Sequence, residues 1–159
     1  MRLPIVFAVE LGATVLLAQS ATAQLLEKKV LTLAAARKMV AAAEAAAERQ
    51  NLRGVIAVVD DGGWTILIER MDNPAYTASV ELAPAKARAA ALFKKPSQTL
   101  EDAINHGRIA AVTARDFTEM QGGLPIVADG QVVGAIGASF DTPEHDVEIA
   151  QAGLSAFDR

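Results

Sequence analysis

The chain contains no cysteine, and that absence removes several chemistries at once. It leaves no disulfide framework, no thiolate nucleophile, no cysteine-held zinc or iron–sulfur cluster, and no covalent haem of the C-x-x-C-H type. Aromatic residues make up only 4% of the chain, and His106 and His145 are its two histidines. A hydrolytic triad therefore has little to stand on: Ser139 lacks a G-x-S-x-G elbow, and Ser97 and Thr142 read as helix caps. Basic charge is short as well, since 15 Lys and Arg against 19 Asp and Glu give a net charge of −4. No basic run exceeds Lys28-Lys29 or Lys94-Lys95. Nucleic-acid binding rests on clustered cations meeting phosphates, so DNA and RNA are set aside. Uninterrupted apolar length falls short of the roughly 20 residues a bilayer demands, and no membrane span is expected.

What is present describes one packed domain: 159 residues, 52% hydrophobic and 21% charged. Arg2, the apolar stretch 3–18 and the small-residue site Ala21-Thr22-Ala23 form the pattern of an export signal cut before Gln24. Residues 1–23 are thus expected to be a signal peptide, residues 24–159 a single domain, and the location periplasmic or secreted.

Thr32 can cap a helix whose stripe is Leu33, Ala36, Val40, Ala43 and Ala47, ending near Asn51. Val55 to Val59 is a continuous apolar run, as in a strand covered on both faces. After the turn Asp61-Gly62-Gly63, Trp64, Ile66 and Ile68 alternate as a returning strand would. An Ala-rich helix, "VELAPAKARAAALFKK", follows; Pro84 should kink it unless its regular part begins there, and Pro96 ends it. Ser97 can cap a shorter helix through Ile104, and His106-Gly107 should break whatever helix residues 105–121 form. The segment "GGLPIVADGQVVGAIGAS" reads as a second hairpin with Asp129-Gly130 in its turn. Gly134 and Gly137 within the strand imply that something approaches its backbone closely. Thr142 and Pro143 open a last helix with Val147, Ala150, Leu154 and Phe157 as its stripe. Two hairpins among helices give an α/β fold with a largely antiparallel sheet.

The glycines of that second hairpin lie before, between and within strands, so they do not form a phosphate loop. His145 stands in the first turn of the last helix, where the positive helix end favours a neutral ring with a free lone pair, as an axial haem ligand needs. His106 is the second candidate ligand and Met120 a softer third. Arg70, Lys86 and Arg88 lie near the loop after the first hairpin, where cations would meet the carboxylates of a flat ligand such as haem.

Five stretches in order, "LTLAAARKMVAAAEAAAE", "VVDDGGWTILIERMD", "AKARAAALF", "GGLPIVADGQVVGAIGAS" and "TPEHDVEIAQAGL", resemble the GlcG/HbpS family of haem-binding proteins, also described as a haem-degrading domain. They are similar too to the C-terminal part of PduO-type corrinoid adenosyltransferases. The resemblance implies a profilin-like α/β fold, homo-oligomers and non-covalent haem or iron binding outside the cytoplasm. The chain departs from the family pattern at Phe140, where glycine usually follows the serine, and at Pro84. Binding or sensing of haem or another small ligand is the first expectation. An enzyme or accessory subunit acting on a small organic acid or on haem is the second, and an oligomeric scaffold the third.

Overall fold

A computed structural model describes residues 27–157; the expected signal at 1–23 lies outside the described residues. The elements run α1 (Leu33–Arg49), β1 (Val55–Asp60), β2 (Thr65–Arg70), α2 (Ser79–Phe93), α3 (Gln98–Asn105), a 3-10 turn (Ile109–Thr113), β3 (Gly123–Ala128), β4 (Gln131–Ser139) and α4 (Pro143–Phe157). The four strands form one antiparallel sheet in the order β2-β1-β4-β3. None of the helices among the described residues is long and apolar enough to cross a membrane.

The unbroken apolar run of β1 follows from its place in the middle of the sheet. Ile56 and Val58 face the core shared with α1 and α4, while Val55, Ala57 and Val59 face the alanines of α2. The architecture is therefore three layers, with α1 and α4 on one face of the sheet and α2 on the other. Thr32 caps α1 as its sequence suggests, its hydroxyl accepting from the Ala35 amide at 3.2 Å.

What approaches the glycine-rich strands is α2. A β-carbon at Gly137 would collide with the Ala83 carbonyl and lie 3.0 Å from the Ala87 β-carbon. One at Gly123 would run into the Lys86 carbonyl. Glycine in the strands and alanine on the helix bring two backbones together without side chains between them.

Several expectations are corrected. In α4, Ala150 is buried and Leu154 and Phe157 pack on the core as expected, but Asp146, Ile149 and Gly153 complete the buried face and Val147 is not part of it. The reason is local: Gly153 packs against Ile136 and the Met39 carbonyl of α1, so the smallest residue sets the contact face. Leu33 is 43% exposed, and Met39 and Ala46 enter the α1 stripe instead. Trp64 and Ile68, on the edge strand, are 72% and 40% exposed. Pro84 lies inside α2, which begins at Ser79 and continues through it, held by its alanine face on the sheet. Ser97 makes no side-chain cap; its hydroxyl accepts from the Gly123 amide at 2.9 Å and fastens the start of α3 to β3.

Candidate functional site

The polar chemistry of the molecule divides into a buried cluster and an exposed one. In the buried cluster Lys86 of α2 and Asp146 of α4, 2% and 5% exposed, meet at one end of the sheet. The Lys86 ammonium donates to Asp146 Oδ2 at 2.5 Å, and the Phe140 amide donates to Asp146 Oδ1 at 2.5 Å. Burial pushes the Asp146 carboxyl above the ordinary aspartate value, against the opposing pull of Lys86. Beside them the Ser139 hydroxyl donates to Ser79 Oγ at 3.0 Å. Phe140 is buried over Gly54 and belongs to the core, so the bulky ring that departs from the family pattern does not stand in an open pocket. Lys86 thus holds α2 to α4, and its ammonium is engaged away from solvent.

The three cations that lie close in sequence have different surroundings. Arg70 is exposed at the end of edge strand β2, paired opposite Val55. Arg88 lies 5.7 Å from the centroid of the Trp64 ring and 6.0 Å from that of Phe117, a cation–π arrangement on the α2 side. Strand β3, into which Met120 and Gln121 lead, forms the opposite edge of the sheet from β2.

The two histidines differ in electrostatic setting. His145 Nδ1 lies 2.7 Å from Asp141 Oδ1, and this carboxylate raises the imidazole above the ordinary histidine value while the Asp141 carboxyl falls. Contact with this carboxylate opposes the helix end, which favours the neutral ring. His106 caps the C-terminus of α3, with Nδ1 2.6 Å from the Asp102 carbonyl oxygen. A carbonyl can only accept, so Nδ1 carries the hydrogen, and in the neutral ring it is Nε2 that has the lone pair. That is the tautomer a metal-ligating histidine requires, with the other nitrogen held by a backbone acceptor.

The structure places Met120 beside the residues that precede His106. Ile104 and Asn105, immediately before His106, line one cavity of about 250 Å³ together with Glu119 and Met120. Directly after His106, Ile109 and Val112 of the 3-10 turn are 68% and 57% exposed, and Met120 is 45% exposed. Among the described residues no group of three or more acidic or histidine side chains is placed to hold a metal ion. Sequence reasoning missed two members of this region. Asp102 acts through its carbonyl, which any residue would supply, so only the i to i+4 spacing before a helix-ending histidine hints at it. Glu119, discussed below, carries no sequence signal.

Fold and site together define a three-layer α/β domain with a buried ion pair as its brace and an exposed histidine on a helical excursion between β2 and β3. The chain belongs to the HbpS-like family, described as haem-degrading protein HbpS-like, which residues 31–155 match. It is 40% identical over 112 residues to protein GlcG of Escherichia coli K12, an alignment covering 70% of this chain and 83% of GlcG. The crystal structure of Klebsiella pneumoniae protein ORFY shares the fold with a TM-score of 0.80 at 34% identity, covering 87% of this chain and 98% of that one. A crystal structure of a PduOC–haem complex superposes with a TM-score of 0.74 at 26% identity, covering 80% and 95%.

Proposed function

We propose that this protein binds haem non-covalently, with His106 as the iron ligand. The observation that carries the reading is a histidine with a fixed tautomer beside an exposed apolar surface. Nδ1–H is held by the Asp102 carbonyl, Nε2 of the neutral ring carries the lone pair, and Ile109 and Val112 of the 3-10 turn that follows are exposed, as is Met120. Haem is a flat apolar disc with a carboxylate edge, and such a surface is what its face would cover. The haem complex of the similar PduOC domain supports the same reading.

The residues present fit the group. His106 supplies an imidazole, Met120 a thioether beside the residues that precede His106, and the apolar residues exclude water from one face. When bound, the iron supplies ligand-binding and redox chemistry; the chain orients it through the Asp102–His106 hydrogen bond. His145 is the alternative ligand, its Nδ1 held by Asp141 Oδ1 at 2.7 Å. Of the cations expected to meet haem carboxylates, Arg70 lies on the opposite edge of the sheet from Met120, and Lys86 is held by Asp146. The reading includes export after loss of residues 1–23 and assembly into homo-oligomers. The signal-like pattern from Arg2 to Ala23 supports the first, and the apolar surface left by Trp64 and Ile68 on an edge strand supports the second.

A hemin titration followed in the Soret region tests it. Wild type and His145→Ala should give a saturable, shifted band that His106→Ala loses. A band that survives in His106→Ala removes His106 as ligand, and a spectrum of free hemin throughout removes haem.

A further inference from the structure

Between the C-terminal end of α2, helix α3 and the 3-10 turn lies a cleft of about 330 Å³. Phe93, Leu100 and Ala111 give it an apolar lining, and Lys95, Arg108 and Glu119 bring charge of both signs to it. Glu119 carries the unusual atom. Its Oε1 is buried with no hydrogen-bond partner, the one such side-chain oxygen or nitrogen found among the described residues. The neighbouring carboxylate behaves differently, since Glu101 Oε2 accepts from the Gln121 amide at 2.6 Å.

A buried acceptor without a donor is costly, more so when it is a carboxylate, and native structures keep few of them. Glu119 lines the same cleft as the two cations Lys95 and Arg108. Cations alone would suit any small anion, but an anion brings no donor to Glu119. Carboxylate alone would suit an amine, but an amine leaves Lys95 and Arg108 without a counter-charge. Both demands are met by one molecule with an ammonium and a carboxylate on an apolar body. The volume lies at the lower end of ordinary small-molecule sites. That suits an amino acid better than a nucleotide or a porphyrin.

We infer that this cleft is a binding site for an amino acid with an apolar side chain, its ammonium on Glu119 and its carboxylate between Lys95 and Arg108. The cleft adjoins the region of His106 and shares Glu119 with it, but the haem reading depends on His106 and is read from a Soret band, whereas this one is read from amino-acid binding.

Isothermal titration of the full chain with L-leucine and L-phenylalanine tests the inference, with isopentylamine and 4-methylpentanoate as analogues lacking one charge each. At least one amino acid should bind saturably, and both leucine analogues should bind more weakly than leucine by about tenfold or more, as expected for a lost charged hydrogen bond. Glu119→Gln should weaken amino-acid binding by a similar factor, and Arg108→Ala should do so through the other end of the ligand. Circular dichroism verifies that each variant is folded; if Glu119→Gln is not, Arg108→Ala decides. No binding by either amino acid, an analogue as tight as leucine, or unchanged affinity in a folded variant would each overturn the proposal.

Discussion

Replacing Lys86 by Met isolates what the buried ion pair does. Methionine keeps an unbranched chain of similar length but removes the ammonium, leaving Asp146 buried with the Phe140 amide as its remaining donor. Removing one partner of a buried pair costs about 3–5 kcal/mol, because the other charge stays out of water uncompensated. For a domain of this size that corresponds to a drop in Tm of roughly 10–20 °C. The double variant Lys86→Met/Asp146→Asn leaves no buried charge and keeps a carbonyl to accept from Phe140. It should therefore be more stable than Lys86→Met alone, with a penalty of about 1–2 kcal/mol, near that of an ordinary hydrogen bond. The pH dependence has a definite sign. Burial already raises the Asp146 carboxyl above its unfolded value, and losing Lys86 removes the main opposing influence. The folded variant then binds more protons than the unfolded chain between the two values, so its stability falls as pH rises through that window. The penalty of Lys86→Met should thus be largest near neutral pH and shrink toward pH 4. Thermal unfolding followed by circular dichroism at several pH values measures all three quantities. A single-variant loss below about 1 kcal/mol, or a double variant as unstable as the sum of the singles, would refute the reasoning.

Gly137→Ala should destabilise the protein by about 1–3 kcal/mol through overpacking, since α2 must lift from the sheet to admit one methyl group; denaturant titration checks this, and a neutral effect would mean that α2 does not lie as close as described. Asp141→Asn should bring the His145 titration, followed by its ring proton resonances, down toward the ordinary histidine value. The exposed pair contributes its small stabilisation only while Asp141 is ionised and His145 protonated, so that contribution disappears both as pH falls through the lowered Asp141 value and as it rises through the raised His145 value.

Much of the scaffold is legible in the sequence because it depends on neighbours along the chain. The Thr32 cap, the Asp129-Gly130 turn and the two-faced apolar run of β1 are each written in a handful of consecutive residues. Gly137 and Gly134 correctly announce close approaches, though not that α2 comes to the first and Leu31 and the Val59 carbonyl to the second. Features that depend on distant partners are not legible in that way. Lys86 and Asp146 are sixty positions apart, and Asp146 in a first turn looks like any acid favoured by a helix dipole. The α4 stripe shifts because Gly153, an unremarkable letter in the sequence, decides where α1 can lie. His145 lies against Asp141, four residues earlier and ahead of the start of α4, so the contact depends on how the chain enters the helix. Glu119 is visible only when its surroundings are, because lacking a partner is a property of space.

The excursion from Ser97 to Gln121 hangs from the sheet by few threads. Ser97 and Gly123 exchange backbone and side-chain hydrogen bonds at its root, while α3 and the 3-10 turn pack mainly on each other. Both proposed ligand sites sit on this segment, and the ion pair and glycine-seated helix that hold the domain together sit elsewhere. Binding and durability are therefore written in different parts of the chain. Such a segment can be exchanged between relatives, lengthened or re-lettered without relaying a single strand, so ligand preference is free to drift while the body of the molecule stays the same.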